Sequence, residues 1–318
     1  MIKNITKLNE ALIVRARELA IGCEKVFLSV SGGIDSATVA GILCRAFGSG
    51  NVVGLYRDIR SNPQHYEDVK LLQEVLGFKL IQLDLNSIYD SLLADLKKQF
   101  LVSGLPWTED GDVAMKNGLM NAYASFKSRL TTPLAGFISK AIDGGHGRIF
   151  GTGNGEEDGL LRYFDKFGDG AVDNNIINGL NKAEVRQLAR YLGIPERIIL
   201  KKPSADLEGN GNQHNDEDQL SSSARAMGYD IKISYGEADG SQEGNVAWAW
   251  REDINHGVVT GENCNLTEKD LTQGPYDYSK EQIKVIYFLR QVEKATRHKI
   301  EPIPGLERKI LVQEGLVD

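Results

Sequence analysis

The six residues Ser31-Gly-Gly-Ile-Asp-Ser36 constrain the fold more than any other part of this 318-residue chain. They follow an apolar run at 25–30, which predicts a β-strand, and precede residues 37–47, which predict a helix. A strand, a glycine-containing turn and a helix together aim backbone N–H groups and the positive helix end at an anion. The two glycines allow close approach of a phosphate because neither has a Cβ. We therefore expect a phosphate site at this turn.

Strands and helices alternate through the first part of the chain. Strands are predicted at 25–30, 52–56, 78–85 and 148–152. Helices are predicted at 5–21, 37–47, 66–76, 88–100 and 182–192. This alternation predicts an α/β fold, a doubly wound parallel sheet with helices on both faces. In such sheets ligands bind beyond the carboxyl ends of the strands, where 31–36 and the segment after Thr152 both fall.

The rest of the chain is less regular. We expect an acidic loop at 102–118, a helix within 127–141 that Pro133 starts or breaks, mobile segments at 208–218 and 236–244, and a last helix at 281–295. Trp248 and Trp250 alternate with alanine, which favours a packed strand over a stacking site. We divide the chain into a core (1–220), an insertion of unknown role (221–280), and a C-terminal helix and tail (281–318) that pack back on the core as an irregular extension.

Composition limits the classes of function. The net charge of −7 argues against broad nucleic-acid binding, which requires clustered Lys and Arg. Three cysteines without a Cys-x-x-Cys pair argue against a disulfide scaffold or a four-cysteine zinc site, and suit a reducing compartment. The polar N-terminus does not resemble a signal peptide, and no apolar run reaches the length of a membrane span. We expect a cytoplasmic protein that binds neither nucleic acid nor membrane.

The side chains of the 31–36 loop suit a nucleotide. Ser31 and Ser36 offer hydroxyl donors, and the Asp35 carboxylate suits a Mg²⁺ ion that accompanies phosphates. The loop is not a Walker A motif, because no Gly-Lys-Ser/Thr sequence follows it. The alternative is an ordinary tight turn between a strand and a helix.

A second polar block, residues 151–158, begins where the fourth predicted strand ends. Thr152 offers a hydroxyl at the ligand edge of the sheet. Glu157 could share a Mg²⁺ ion with Asp35, because two carboxylates, phosphate oxygens and water make an ordinary magnesium site. The acidic neighbours of Glu157 leave the choice of carboxylate open, and a solvated acidic turn is the alternative.

Lys182 lies at the start of a predicted helix, where Asn181 and Glu184 have the spacing of a capping box. The helix dipole alone disfavours a cation at this position. A nearby phosphate would offset that cost, whereas an exposed surface lysine is the alternative. The residues alone do not decide between the two.

Together these motifs resemble those of ammonia-dependent NAD synthetases, members of the ATP pyrophosphatase or PP-loop superfamily. Ser-Gly-Gly-Ile-Asp-Ser indicates the superfamily. Gly-Thr-Gly-Asn with a following Glu, Lys-Phe-Gly-Asp-Gly and Pro-Ser-Ala-Asp-Leu, in that order, are far more specific and resemble the synthetases. The resemblance covers residues 25–85, 121–131, 147–220 and 281–304. It implies an adenine nucleotide alpha hydrolase-like fold. It also implies that ATP adenylates the nicotinate carboxylate of deamido-NAD, that ammonia then forms NAD, and that AMP and pyrophosphate are released.

The resemblance further implies the site residues. The ATP-binding residues are Ser29, Ser31, Gly32, Gly33, Asp35, Ser36, Thr152, Lys182 and Ser204. The catalytic residues are Asp35, Lys182 and Glu157, and the family's spacing selects Glu157 to hold Mg²⁺ together with Asp35. The residues implied for deamido-NAD are Arg129, Lys166, Asp173, His298 and Lys299. The resemblance also implies a homodimer that binds only small molecules, with ATP and ammonia as co-substrates.

The chain departs from the family's pattern at several positions. Ser29 replaces the usual glycine before the loop, and Thr131 replaces the second arginine of a Lys-Ala-Arg-x-Arg segment that matches 127–131. A second register of that segment places Ser125 and Lys127 at the arginine positions instead.

Residues 244–260 have no counterpart in the family's pattern, and the chain has no room for a glutaminase domain. Free ammonia is therefore the expected nitrogen donor. Two other functions stay open, namely a PP-loop enzyme with a different acceptor and a non-catalytic member that binds nucleotides.

Overall fold

The computed structural model describes residues 1–107, 113–204, 215–301 and residue 313, with only the backbone described over 113–120. Five parallel strands form one sheet in the order β3-β2-β1-β4-β5. The strands are β1 (Val26–Ser29), β2 (Val52–Asp58), β3 (Lys79–Asp84), β4 (Arg148–Gly151) and β5 (Asn174–Asn175). The predicted parallel sheet and its first four strands are confirmed. The two-residue β5 was not predicted.

The first helices follow the predicted alternation with the strands. They are α1 (Ile5–Leu19), α2 (Ile34–Phe47), α3 (Pro63–Leu76), α4 (Asn86–Val102), α5 (Val113–Ala141) and α6 (Lys182–Leu192). The later helices are α7 (Glu196–Ile199), α8 (Asp216–Ala226), α9 (Asn245–His256), α10 (Glu268–Leu271) and α11 (Lys280–Thr296). A π-helical turn spans Gly155–Leu161, and short 3₁₀ turns span Ser49–Asn51 and Arg297–Lys299. Within the described residues, no helix has both the length and the apolar character that crossing a membrane requires.

Helices cover both faces of the sheet, as predicted. Successive residues of a strand point to opposite faces. Leu28 of β1 packs in a core with residues of α1, α2, α3 and α6. Its neighbour Phe27 packs on the other face against Ala135 and Ile138 of α5. The sheet is therefore buried on both sides, and polar groups of the central strands come to the surface mainly at the strand ends.

A second hydrophobic core lies outside the sheet. It joins Leu160 and Leu161 of the π-helical turn to side chains of α8, α9 and α11. Residue 220 falls inside α8, so the second core spans the predicted boundary between core and insertion. The tail beyond residue 301 lies outside the described residues apart from residue 313. The three-part division of the chain stays a prediction.

Three local predictions were wrong. The loop predicted at 102–118 includes the start of α5, because the Val-Ala-Met-Lys run at 113–116 contains good helix formers. Asp216–Asp218, predicted to be mobile, form the first turn of α8. Acidic side chains in the first turn stabilise a helix through its dipole. Trp248 and Trp250 lie on α9 rather than on a strand, since two alternations are too few to establish a period of two. Residues 208–214 of the same predicted mobile stretch lie outside the described residues.

Candidate active site

The loop at 31–36 follows the central strand at the point where the strand order reverses, with β2 and β3 on one side and β4 and β5 on the other. Ser31 Oγ accepts a 3.2 Å hydrogen bond from Gly33 N and lies 3.2 Å from Ser36 Oγ. Ser36 Oγ donates to the Gly33 carbonyl at 3.1 Å. Helix α2 begins directly after Gly33. These hydrogen bonds close the loop on itself at a helix N-terminus, which is a geometry that suits a phosphate.

Gly32 is required by the packing of the loop. Its φ of +77° is a conformation that other residues rarely adopt, and a Cβ there would lie 2.6 Å from the His65 carbonyl oxygen. Lys201 donates to the Gly32 carbonyl at 3.3 Å and to Asp68 Oδ2 at 2.9 Å. Burial alone raises the pKa of Asp68, but hydrogen bonds from Lys201 and Arg197 outweigh it and lower that pKa. The loop is therefore anchored to α3 through a buried carboxylate.

Lys182 is buried at the start of α6, where the predicted capping box of Asn181 and Glu184 is confirmed. Its Nζ lies 2.7 Å from Asp35 Oδ2 and 2.6 Å from Glu157 Oε1, and its side chain is 1% exposed. Burial lowers the pKa of Lys182, but the two carboxylates more than offset this and raise it above 10.5. The structure thus brings the three predicted catalytic residues into direct contact and excludes an exposed surface lysine.

Asn154 joins the two carboxylates from a second direction. Its Oδ1 accepts from the backbone N–H groups of Glu156 and Glu157, each at 3.1 Å, and so caps the π-helical turn. Its Nδ2 donates to Asp35 Oδ1 at 3.1 Å and to Glu157 Oε2 at 2.9 Å. This role of Asn154 was not predicted. The available signal was an asparagine directly before a Gly-Glu-Glu run, which is typical of a helix cap.

The acidic residues of the π-helical turn are largely buried, which rules out the solvated turn considered above. Burial raises the pKa of Glu157 to about 8, although Lys182 opposes the shift and Asp35 adds to it. Burial also raises the pKa of Glu156 to about 8 and that of Asp158 to about 7. Negative charge in this turn is therefore costly without a cation beside it.

The donor set of Asp35 and Glu157 fits Mg²⁺. Both carboxylates contact the same ammonium and the same amide nitrogen, so their oxygens converge on one place. Magnesium is commonly held by one or two carboxylates and completes its coordination with phosphate oxygens and water. The loop at 31–36, which contains Asp35, adjoins this place.

A cavity of about 630 Å³ extends from the loop to α5 and the C-terminal segment. Most of the predicted site residues line it, namely Ser29, Ser31, Gly33, Asp35, Ser36, Arg129, Thr152, Glu157, Lys166, Lys182, Ser204, His298 and Lys299. Two predicted residues are not among those that line it. Gly32 packs against the backbone of His65. Asp173 Oδ2 accepts a hydrogen bond of 2.8 Å from the Ile149 backbone N–H in β4.

The α5 wall of the cavity is compatible with both registers of the predicted arginine segment. Arg129 Nε lies 2.8 Å from Asp165 Oδ1, and Ser125 donates to Asp165 Oδ2 at 2.5 Å. Lys127, from the second register, lines the same wall. At Thr131, where the pattern has its second arginine, the hydroxyl accepts a hydrogen bond from Arg57 Nε of β2. Arg57 lines the cavity and was not predicted, because only the fold brings the end of β2 to α5.

The C-terminal segment is tied to residues 162–166 through two lysines. Lys166 Nζ donates to the carbonyls of His298 and Glu301 at 2.7 and 2.6 Å. Lys299 Nζ donates to the carbonyls of Arg162 and Phe164 at 2.8 and 2.6 Å. These bonds bring residues separated by more than a hundred positions in the sequence to one edge of the cavity.

A glycine-containing loop at the switch point of a parallel sheet, facing a buried lysine and two carboxylates, defines an α/β nucleotide-binding protein of the PP-loop class. A family model described as NAD synthase matches residues 9–232, more than half of the chain. The chain therefore belongs to the NAD synthase family. As a member it is a ligase that forms a carbon–nitrogen bond at the expense of ATP.

Curated relatives cover similar parts of the chain. The NH(3)-dependent NAD(+) synthetase of Pyrococcus horikoshii is 36% identical over 201 residues, which are 63% of this chain and 67% of the relative. That of Finegoldia magna is 32% identical over 192 residues, 60% of this chain and 68% of the relative. That of Pyrococcus furiosus is 32% identical over 227 residues, 71% of this chain and 75% of the relative.

Solved structures share the fold. The NMN synthetase of Francisella tularensis has a TM-score of 0.65 at 21% identity, covering 95% of this chain and 98% of that one. The NH3-dependent NAD synthetase of Campylobacter jejuni has a TM-score of 0.61 at 20% identity, covering 96% and 100%. The predicted adenine nucleotide alpha hydrolase-like fold is confirmed.

Proposed function

We propose that this chain is an ammonia-dependent NAD synthetase that converts deamido-NAD to NAD and releases AMP and pyrophosphate. The observation that carries the proposal is the buried Lys182 ammonium held between Asp35 and Glu157 beside the phosphate-binding loop. Fixed positive and negative groups beside this loop would suit a triphosphate bound in the cavity. Relatives that are 32–36% identical to this chain are named NH(3)-dependent NAD(+) synthetases, which supports the proposal.

The chemistry proceeds in two displacements. The nicotinate carboxylate of deamido-NAD attacks the α-phosphorus of ATP, the bond to the β-phosphate oxygen breaks, and pyrophosphate leaves with the electron pair. Ammonia then attacks the acyl carbon, AMP leaves, and the nitrogen loses a proton. A carboxylate is already nucleophilic at neutral pH, so the protein does not need a covalent nucleophile. Its contribution is to hold the reactants in line and to neutralise charge on the leaving groups.

This chain's residues divide that work. The backbone N–H groups at the start of α2, the hydroxyls of Ser31 and Ser36 and the Lys182 ammonium would bind the phosphates. We propose that Asp35 and Glu157 hold a Mg²⁺ ion there. When bound, the ion would neutralise charge on the pyrophosphate. Thr152 and Ser204 line the cavity and would contact the rest of ATP.

Four of the residues proposed to bind deamido-NAD line the cavity, namely Arg129, Lys166, His298 and Lys299. Arg129 is 53% exposed, so it can reach a phosphate or carboxylate in the cavity. For Asp173 we propose an indirect role, because its carboxylate accepts from the backbone of β4 beside the site.

We further propose that two copies associate through α4. Ile88, Leu92 and Leu96 recur every four residues and are 41–51% exposed, and Tyr89 is the only residue of α4 that is buried. An apolar stripe of this kind is typical of a protein interface. We also propose a cytoplasmic location, which suits the free thiols of Cys23, Cys44 and Cys264.

The test is a product analysis with the purified protein, ATP, Mg²⁺ and ammonium. Three reactions are run in parallel, with deamido-NAD, with nicotinic acid mononucleotide, or without an acceptor. We expect NAD, AMP and pyrophosphate in equal amounts from deamido-NAD. Amidation of the mononucleotide alone would contradict the acceptor, and ADP with orthophosphate would contradict the chemistry. Tight nucleotide binding without AMP release would favour the non-catalytic alternative.

A variant pair ties the activity to this site. Lys182→Gln removes the cation between the two carboxylates, and we expect the rate of AMP formation to fall by about 100-fold or more. Lys7→Gln, which removes an exposed charge on α1, is the control and should keep the wild-type rate. Equal rates in the two variants would show that Lys182 does not stabilise the transition state.

A further inference from the structure

The segment 233–250 lies beyond the part of the chain that matches the family model, yet it reaches the active-site lysine. Tyr235 in this segment is fully buried, and its ring centroid lies 5.4 Å from Lys182 Nζ. The ammonium thus contacts an aromatic ring in addition to the carboxylates of Asp35 and Glu157. A ring at this distance attracts a cation through its negative face, most strongly where water is excluded.

Hydrogen bonds fix the backbone at Tyr235 to the helix that begins with Lys182. Arg186, one turn along α6, donates to the carbonyls of Tyr235 and Glu237 at 3.4 and 2.7 Å. The backbone N–H of Tyr235 donates to Glu217 Oε1 of α8 at 2.6 Å. The backbone of Tyr235 is therefore held from α6 and α8, which fixes the point from which the ring extends toward Lys182.

The ring, rather than the hydroxyl, is the part of Tyr235 that contacts the ammonium. The Tyr235 hydroxyl is buried and has no hydrogen-bond partner among the residues that the structure describes. Its hydroxyl therefore does not orient Lys182. The face of the ring keeps water from the ammonium and removes the space into which the lysine side chain could rotate.

We propose that Tyr235 is a positioning residue that holds the Lys182 ammonium in place beside the phosphate-binding loop. The inference rests on the proposed function, in which this ammonium neutralises charge on the departing pyrophosphate. It assigns a role to a segment whose function the sequence left open. Because negative charge grows on the pyrophosphate as it leaves, a correctly held ammonium contributes more in the transition state than in the binding of ATP.

The first test compares Tyr235→Phe, Tyr235→Leu and a stability control, Phe288→Leu, in the same hydrophobic core. We expect Tyr235→Leu to lower kcat by about ten- to thirtyfold with KM for ATP changed less than about threefold. Tyr235→Phe should restore most of the activity because it keeps the ring. Phe288→Leu should lower the melting temperature without this loss of kcat.

The second test measures the contribution of the ring even if the leucine variant does not fold. Phenylalanines with one, two and three ring fluorines are incorporated at position 235, which weakens the negative face while keeping the shape of the ring. We expect log kcat to fall steadily with fluorination at a constant melting temperature. A flat series, or a leucine variant as active as the control, would overturn the role of Tyr235. An inactive wild-type protein would instead overturn the proposed function.

Discussion

Lys201 follows Gly32 by 169 residues in the chain but donates a hydrogen bond of 3.3 Å to its carbonyl oxygen. The same ammonium lies 2.9 Å from Asp68 Oδ2. Asp68 Oδ1 also accepts from Arg197 Nε at 2.6 Å, and the Asp68 side chain is only 1% exposed. The position of the loop at 31–36 thus depends on a buried negative charge in α3, well separated from it in sequence.

Replacement of that charge should make the stability of the protein less dependent on pH. The folded-state pKa of Asp68 lies below its ordinary value of 3.8, because hydrogen bonds from Lys201 and Arg197 outweigh the effect of burial. Its stabilisation is therefore complete well above pH 4 and is lost as the pH falls through the folded-state pKa. We expect Asp68→Asn to lower the free energy of unfolding at pH 7 by about 1.5–3 kcal/mol, and the difference from wild type to shrink below pH 4.

Urea unfolding at a series of pH values measures this effect. Asp230→Asn, which removes an exposed carboxylate outside α4 and the cavity, is the control and should follow the wild-type curve. A difference between Asp68→Asn and wild type that stays constant down to pH 2 would contradict the role of the Asp68 charge.

Asn154→Ala should impair both the local fold and the activity. The substitution removes the cap of the π-helical turn, which costs about 1–2 kcal/mol. It also releases Glu157 from Asp35, so AMP formation should fall by about tenfold or more. Asn4→Ala is a matched control because Asn4 caps α1 in the same way but lies outside the cavity. If both variants lost stability and kept full activity, the bridge between the two carboxylates would have no role in catalysis.

Gly155→Ala should destabilise the π-helical turn through a steric clash. A Cβ at residue 155 would overlap Trp250 Cη2 and would lie 2.7 Å from the Asn178 carbonyl oxygen, contacts that side chains do not make. We expect a loss of about 1–3 kcal/mol in the free energy of unfolding. Gly50→Ala, where nothing lies within 4 Å of the added methyl group, should cost much less. The double variant with Trp250→Ala should recover part of the loss, and strict additivity would refute the clash.

Charge on the exposed stripe of α4 should separate the two copies of the proposed dimer. We expect Leu92→Lys combined with Leu96→Lys to shift the mass measured by light scattering from that of two chains to that of one. Ile21→Lys, at a position that is 84% exposed outside α4, is the control and should leave the mass unchanged. A wild-type protein that already has the mass of one chain would contradict the proposed association.

The sequence predicted the sheet because apolar runs and helical periods alternate, and each is a local signal. β5 escaped prediction because Asn174–Asn175 contains only two residues, both polar, and pairs with β4 only in the folded chain. The long helix α5 was underestimated because Pro133 suggested a break, although the structure keeps this residue within the helix.

The site was predictable where residues adjacent in sequence carry the chemistry, as they do in the loop at 31–36. Asn154 had a local signal in its capping position. Arg57 and Tyr235 had none, since the first acts beside Thr131 and the second beside Lys182 only through the fold. Asp173 was assigned from a resemblance of motifs, and its bond to Ile149 could not be anticipated from the motif.

The π-helical turn contributes both to the cavity and to the second hydrophobic core. It presents Glu157 to the cavity, and it inserts Leu160 and Leu161 into the core built by α8, α9 and α11. Deletion of residues 221–280 would therefore expose the apolar side of that turn, Leu160 and Leu161, to water. Residues 221–280 thus help to support the turn that carries Glu157, although they lie far from it in the sequence.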